Sequence, residues 1–149
     1  MKAFFRTIVL VVSLFLFTNS NCLTKSNNLV GIWISENKDL IVQVFENKQL
    51  LYGKLVWFKC THKEKKPMED HKDEKNSNPD LRGKSWLNLI ILSGLKYNGG
   101  NKWENGKIYD TNSGKTYSAS VTLIENKIIV RGYWGIELLG KSMIFKRYE

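Results

Sequence analysis

"KTYSASVTLIENKIIVRGYWG", residues 115 to 135, decides the fold. Tyr117, Ala119, Val121 and Leu123 alternate with Ser118, Ser120, Thr122 and Ile124. A period of two gives an extended strand one strongly apolar face. Glu125-Asn126-Lys127 breaks the run, and Ile128-Ile129-Val130 resumes it. Two β-rich runs around a short polar break read as a hairpin. Asn belongs at its tip because it tolerates left-handed backbone angles. The design occurs a second time in "LIVQVFENKQLLYGKLVWF", residues 40 to 58, around Glu46-Asn47-Lys48.

Working outward, Gly31-Ile32-Trp33 opens a first strand and "GKSMIFKRY", residues 140 to 148, forms a last one. "SWLNLIILSGL", residues 85 to 95, reads as a strand or one short helix, since periodicity does not decide an apolar run. Gly-Lys recurs at 53, 83, 106, 114 and 140 and punctuates the strands. About eight short strands without an alternating β-α series predict an all-β protein. The expected form is a small antiparallel up-and-down β-barrel, because closure removes exposed strand edges.

One region breaks the pattern. "KCTHKEKKPMEDHKDEKNSNPDLRG", residues 59–83, holds both prolines, dense charge and almost no apolar residue. It reads as a long charged loop inside the domain, and such loops are functional or disordered.

The first residues have a different character. Lys2 and Arg6 precede IVLVVSLFLF at 8–17, and Thr18-Asn19-Ser20 follow. This is the layout of a secretory signal peptide over 1–20, for which cleavage after Ser20 fits best and cleavage after Cys22 is the alternative. The apolar run falls short of the roughly 20 residues that a spanning helix needs. Residues 21–28 would be a short linker and 29–149 a single domain, exported to the periplasm or the exterior, with no transmembrane segment after cleavage. A lipid anchor on Cys22 is the weaker alternative, because Asn19-Ser20-Asn21 lacks the leucine and small residue of a lipobox. Cys22 and Cys60 would form one disulfide or stay as two thiols. Cys60-Thr61-His62 has no second half, so no metal site and no cofactor are expected.

The formal charge is +9, and removing Lys2 and Arg6 leaves +7. The lysines are scattered, and no stretch interleaves Arg with exposed aromatics as a single-strand binder would. With export, this argues against nucleic acid as a partner. "GIELLGKS", residues 135 to 142, fits the phosphate-loop pattern letter for letter. Only Met143 to Glu149 follow, too few for the helix whose N-terminus holds the phosphates. Gly135 and Gly140 therefore read as the ends of a hairpin turn.

Gly31-x-Trp33 with a late Arg147 resembles the calycins, the superfamily of lipocalins and fatty-acid-binding proteins. There a tryptophan plugs the closed end of the barrel and a basic side chain packs over its indole. A wider set covers most of the chain. It comprises Gly31-x-Trp33, Tyr52-Gly53-Lys54-Leu55-Val56-Trp57, Asp73, and Asn76-x-Asn78-Pro79-Asp80-Leu81-Arg82-Gly83. It continues with Trp103-x-x-Gly106-Lys107-Ile108-Tyr109-Asp110, Ser113-Gly114-Lys115-Thr116-Tyr117, and Val130-Arg131-Gly132-Tyr133-x-Gly135. In this order the set resembles domain-of-unknown-function family 2147, small exported bacterial proteins. The resemblance implies a lipocalin-like barrel and export, without a settled activity. Asn88 stands where that family has glycine, Lys141 where arginine is usual, and Phe145 where tryptophan is usual.

Three readings of function follow. A barrel with an apolar cavity would bind a small hydrophobic or amphipathic molecule. Asp73, Asn76, Asp80, Arg82, Tyr109, Asp110 and Arg131 would supply the polar groups at its mouth. The plain alternative for these residues is structural: Asn78-Pro79-Asp80 and Asp110 with Asn112-Ser113-Gly114 are strong turn formers, and the arginines would pin loops. A second reading is a cell-envelope interaction module with its barrel filled by Trp57, Trp86, Trp103, Tyr117 and Trp134. A third, carboxylate-dependent hydrolysis through Asp73, Asp80 or Asp110, is the weakest. The two histidines, His62 and His71, lie in the charged insert, and no nucleophile–base pair is visible, so no enzyme activity is expected.

Overall fold

Each strand of the computed structural model is hydrogen-bonded to the strand before and after it in the chain. The structure describes residues 28–60 and 66–149; the signal peptide, nearly all of the linker and Cys22 lie outside them. Eight strands are found among the described residues. They are β1 (Gly31–Ser35), β2 (Leu40–Asn47), β3 (Leu50–Phe58), β4 (Ile90–Tyr97), β5 (Lys102–Asp110), β6 (Lys115–Ile124), β7 (Lys127–Tyr133) and β8 (Lys141–Arg147). The last pairs antiparallel with the first, Trp33 opposite Arg147 and Ser35 opposite Phe145, and so closes the barrel. The expected up-and-down barrel is the observed one, and the ambiguous 85–95 run supplies β4, a strand.

The hairpin tips fall where they were expected but use other residues. The left-handed positions are Lys48 (φ 49°), Gln49 (φ 64°) and Glu125 (φ 53°), not Asn47 or Asn126. A two-residue hairpin loop must match the twist of its strands, and that demand sets the backbone whatever residue sits there. Asn88 is the reverse case. It stands in the left-handed region (φ 64°), which explains how asparagine replaces the glycine expected there.

Side chains of alternate residues fill the interior: Val42, Val44, Leu51, Leu92, Leu95, Trp103, Ala119, Val121, Ile128, Val130 and Phe145 form one buried cluster with Leu29 and Trp33. The aromatic filling differs from expectation. Trp33 and Trp103 are fully buried, whereas Trp57, Trp86 and Tyr117 are only partly so and Trp134 is 76% exposed. Trp134 lies beyond the end of β7, where the chain has left the wall. An apolar pocket of about 20 Å³ lies inside the barrel between Trp33, Val44, Ile108, Val130 and Phe145. That is the room of about one water molecule.

The antiparallel order sorts the connections to two ends. The short turns after β2, β4 and β6 lie at one end with Leu29 and Arg147. The opposite end carries the 66–89 segment and the connections after β1, β5 and β7.

Candidate functional site

At the short-turn end a latch joins the two ends of the ring. The Arg147 guanidinium lies 4.4 Å from the centre of the Trp33 ring. Its Nη1 donates to Val30 O at 3.1 Å and its Nη2 to Asn28 O at 2.6 Å. Trp33 Nε1 donates to Leu29 O at 2.8 Å, so the buried indole is satisfied. Gly31 holds φ 141°, and a Cβ there would overlap the Arg147 guanidinium. Gly31, Trp33 and Arg147 thus form one structural unit, as their resemblance implies.

The other end is built from the 66–89 loop. Asp73 is fully buried there. Its Oδ1 accepts from the Tyr109 hydroxyl at 2.6 Å and its Oδ2 from Asn76 Nδ2 at 2.6 Å. Burial, followed by the Asp73 hydrogen bond and charge, pushes the Tyr109 phenol up to about 12. Asn76 then ties the loop to itself: its Oδ1 accepts from Asn78 N, and its carbonyl accepts from Arg82 Nε at 2.8 Å. Asn78 Oδ1 caps Asp80 N at 3.0 Å, where Pro79 begins a single 3-10 turn. Asp110 closes the turn between β5 and β6, accepting from Asn112 N at 3.0 Å and Ser113 Oγ at 2.6 Å. Lys75 Nζ reaches Asn112 O at 2.6 Å, and Gly114 (φ 70°) lies so close to the Lys75 carbonyl that a Cβ would collide with it.

Six of the seven sequence-predicted mouth residues therefore meet at this rim: Asp73, Asn76, Asp80, Arg82, Tyr109 and Asp110. Four of them carry bonds that fix backbone or neighbours through their side chains and lie partly or fully buried: Asp73, Asn76, Tyr109 and Asp110. Arg82 makes such a bond from an exposed position, and Asp80 is exposed. Arg131 stands apart. Its guanidinium donates to Glu137 O (2.7 Å), Leu138 O (2.8 Å) and Ser142 Oγ (2.8 Å), holding the 134–140 connection against β7 and β8. Its position in β7 opposite Ser120 puts it on the outward-facing series, away from Val130 and Ile128.

The rim also holds a pocket that the sequence did not reveal. It measures about 270 Å³ and is bounded by Lys66, His71, Lys72, Lys75, Trp86 and Asn112. Asp70 and Glu74 add negative charge to its wall. His71 is buried with its ring edge-on to Phe58 (5.1 Å) and 5.6 Å from Trp86. Trp86 Nε1 is buried with no hydrogen-bond partner among the described residues. The aromatic residues flanking the charged insert, Phe58 and Trp86, were the available signal: a solvated loop does not need an aromatic clamp at its base. Among the described residues no group of His, Cys, Asp and Glu is placed to hold a metal ion, and Cys60 has no disulfide partner.

The closed eight-stranded wall with a tryptophan-arginine latch defines a lipocalin-like barrel. The chain belongs to a family of bacterial proteins described as "Uncharacterized protein conserved in bacteria (DUF2147)", whose model matches residues 31–147. A similar solved structure is that of protein HP1028 from the human pathogen Helicobacter pylori, described as belonging to the lipocalin family. The two are 27% identical, the likeness covers 81% of this chain and 83% of that one, and the TM-score is 0.69. No curated protein matches the chain in sequence.

Proposed function

We propose that this chain is an exported bacterial binding protein that takes a small amphipathic molecule at the open rim of its barrel. The observation that carries the reading is a contrast of two volumes. About 20 Å³ is open inside the barrel, against about 270 Å³ in the rim pocket. The second is close to the lower end of the range for small-molecule sites, roughly 300 Å³ and above. Lys66, Lys72 and Lys75 favour an anionic group, Asp70 and Glu74 favour donors beside it, and the Trp86 indole offers an apolar face. Asp73, Asn76 and Tyr109 are positioning residues that hold the loop. Export rests on the signal-like segment 1–20. The reading is of binding without catalysis, since Asp73 and Asp110 are engaged in holding the rim.

The packed interior also favours a second reading, an envelope interaction module whose rim recruits a protein. One experiment separates the two. The secreted chain is purified, its mass is measured, and small molecules are extracted and identified by mass spectrometry. A chain starting at Asn21 with a copurified ligand, lost in Trp86→Ala and in Lys72→Ala/Lys75→Ala, supports rim binding. A ligand retained in both variants, or none at all, rejects it.

A further inference from the structure

The connection between β7 and β8 is built inside out. Trp134, Ile136, Leu138 and Leu139 are 76%, 65%, 83% and 78% exposed. The polar side chain among them, Glu137, is turned to the barrel wall, where it meets Ser120 Oγ and, at 3.2 Å, Lys102 Nζ. Ser120, which alternation places on the outer face, is consequently only 2% exposed. Arg131 clamps the backbone of the same turn on two carbonyls. A loop serving only as a connector would turn these faces the other way, because exposed apolar area opposes folding. Here three anchors hold the apolar face outward.

Charge indicates what covers it. The single acid of the segment meets Lys102, a cation it shares with Glu104 (2.6 Å), and the Arg131 guanidinium on the same turn balances the second carboxylate, while exposed Lys141 follows directly after Gly140. Exposed Lys115 lies two residues from Tyr117, whose ring meets Trp134 edge-on at 6.3 Å. A tryptophan and three aliphatic side chains flanked by free cations match an anionic bilayer surface: the apolar group enters the headgroup boundary and the lysines meet lipid phosphates. A protein partner of equal chemistry would need its own apolar patch ringed by acids.

We infer that the 134–139 connection docks the protein on the surface of an anionic phospholipid bilayer. The assay uses the chain from Asn21, its expected mature start, which leaves the apolar run at 8–17 out. Co-sedimentation is measured with phosphatidylglycerol-containing vesicles and with pure phosphatidylcholine vesicles. Binding is expected to the former, to weaken with salt, and to fall at least about tenfold in Leu138→Ser/Leu139→Ser. The Trp134 emission blue-shifts on binding, and Trp134→Phe removes that shift. Lys141→Glu weakens binding severalfold while near-ultraviolet circular dichroism stays unchanged. Absence of binding, or equal binding by the double variant, overturns the inference. So does a dimer seen by light scattering that the double variant dissolves, which would assign the face to a second copy of the chain.

Discussion

The two ends of the barrel solve opposite problems with the same kind of residue. At the short-turn end an arginine, Arg147, lies on a buried indole and draws two backbone carbonyls together, sealing the ring. Near the open end another arginine, Arg131, also takes backbone carbonyls, but they belong to a segment whose apolar face it keeps in solvent. One guanidinium completes a core and the other presents a surface. Where a side chain hides apolar area, the fold gains stability. Where it holds apolar area out, the gain has to come from something outside the chain. The difference predicts that perturbations at the closed end are global and large, and those at the open end local and small.

The largest effect is expected from Trp33→Ala. Removing a fully buried aromatic at the seam of the ring should cost about 3–5 kcal/mol, read from urea unfolding followed by circular dichroism. A cost under about 1 kcal/mol, the size of a surface change, would break the contrast between the ends. Gly31→Ala comes next. The new Cβ must adopt φ 141° and displace the Arg147 guanidinium, so a loss of about 1–3 kcal/mol is expected in the same assay. Arg147→Met in the Gly31→Ala background should then cost less than it does alone, because the two changes act on one contact.

The closed end was also the legible one. Gly31, Trp33 and Arg147 carry their role in residue type, since one indole, one cation and one backbone position without a side chain suffice. The strands were legible for a similar reason: Tyr117, Ala119 and Val121 state their face by alternation. The open end was legible only in part. Asp73, Asn76, Asp80, Arg82, Tyr109 and Asp110 do converge there, but convergence did not show that most of them bind one another. The His71–Trp86 pocket depends on how the loop folds back so that Trp86 N donates to His71 O, a pairing that no local pattern encodes. Arg131 takes the outer face of β7, which its motif neighbours do not encode. The tips at Lys48, Gln49 and Glu125 were missed because strand twist, not residue preference, chose their angles.

At the open end, Tyr109→Phe removes the donor to a buried carboxylate and should cost about 1–3 kcal/mol. The loss is expected mainly as faster hydrogen exchange of the 66–89 amides, with the β1, β2 and β8 amides little changed. It has a pH signature. The folded phenol sits at about 12, above its ordinary 10, so the folded state holds that proton more tightly than the unfolded chain does. Its contribution is complete below pH 10 and disappears as pH rises toward 12. The native chain should therefore lose stability across that window, and the phenylalanine variant should lack that share of the loss. Parallel alkaline profiles would mean that the Tyr109–Asp73 bond does not hold the rim.

The smallest effect sharpens the contrast most. Glu137→Gln keeps the shape of the inward-turned side chain and removes its charge. The Ser120 hydroxyl, and after it Lys102, hold this carboxyl below its ordinary range. A lowered folded value means that its contribution is present above the ordinary carboxylate range and is lost as pH falls through the folded value. The glutamate and Lys102 are both about one third exposed, so the difference at neutral pH should be no more than about 1 kcal/mol. The two chains should converge in stability on acidification. Hydrogen exchange at 134–140 should quicken in the variant, while the latch at Trp33 and Arg147 keeps its protection. If the variant loosened the latch as well, the two ends would be one cooperative unit, and the outward apolar face would be a by-product of barrel closure. If only the segment loosens, the barrel stands without it, and the clamp of Arg131 and Glu137 serves what that face meets outside.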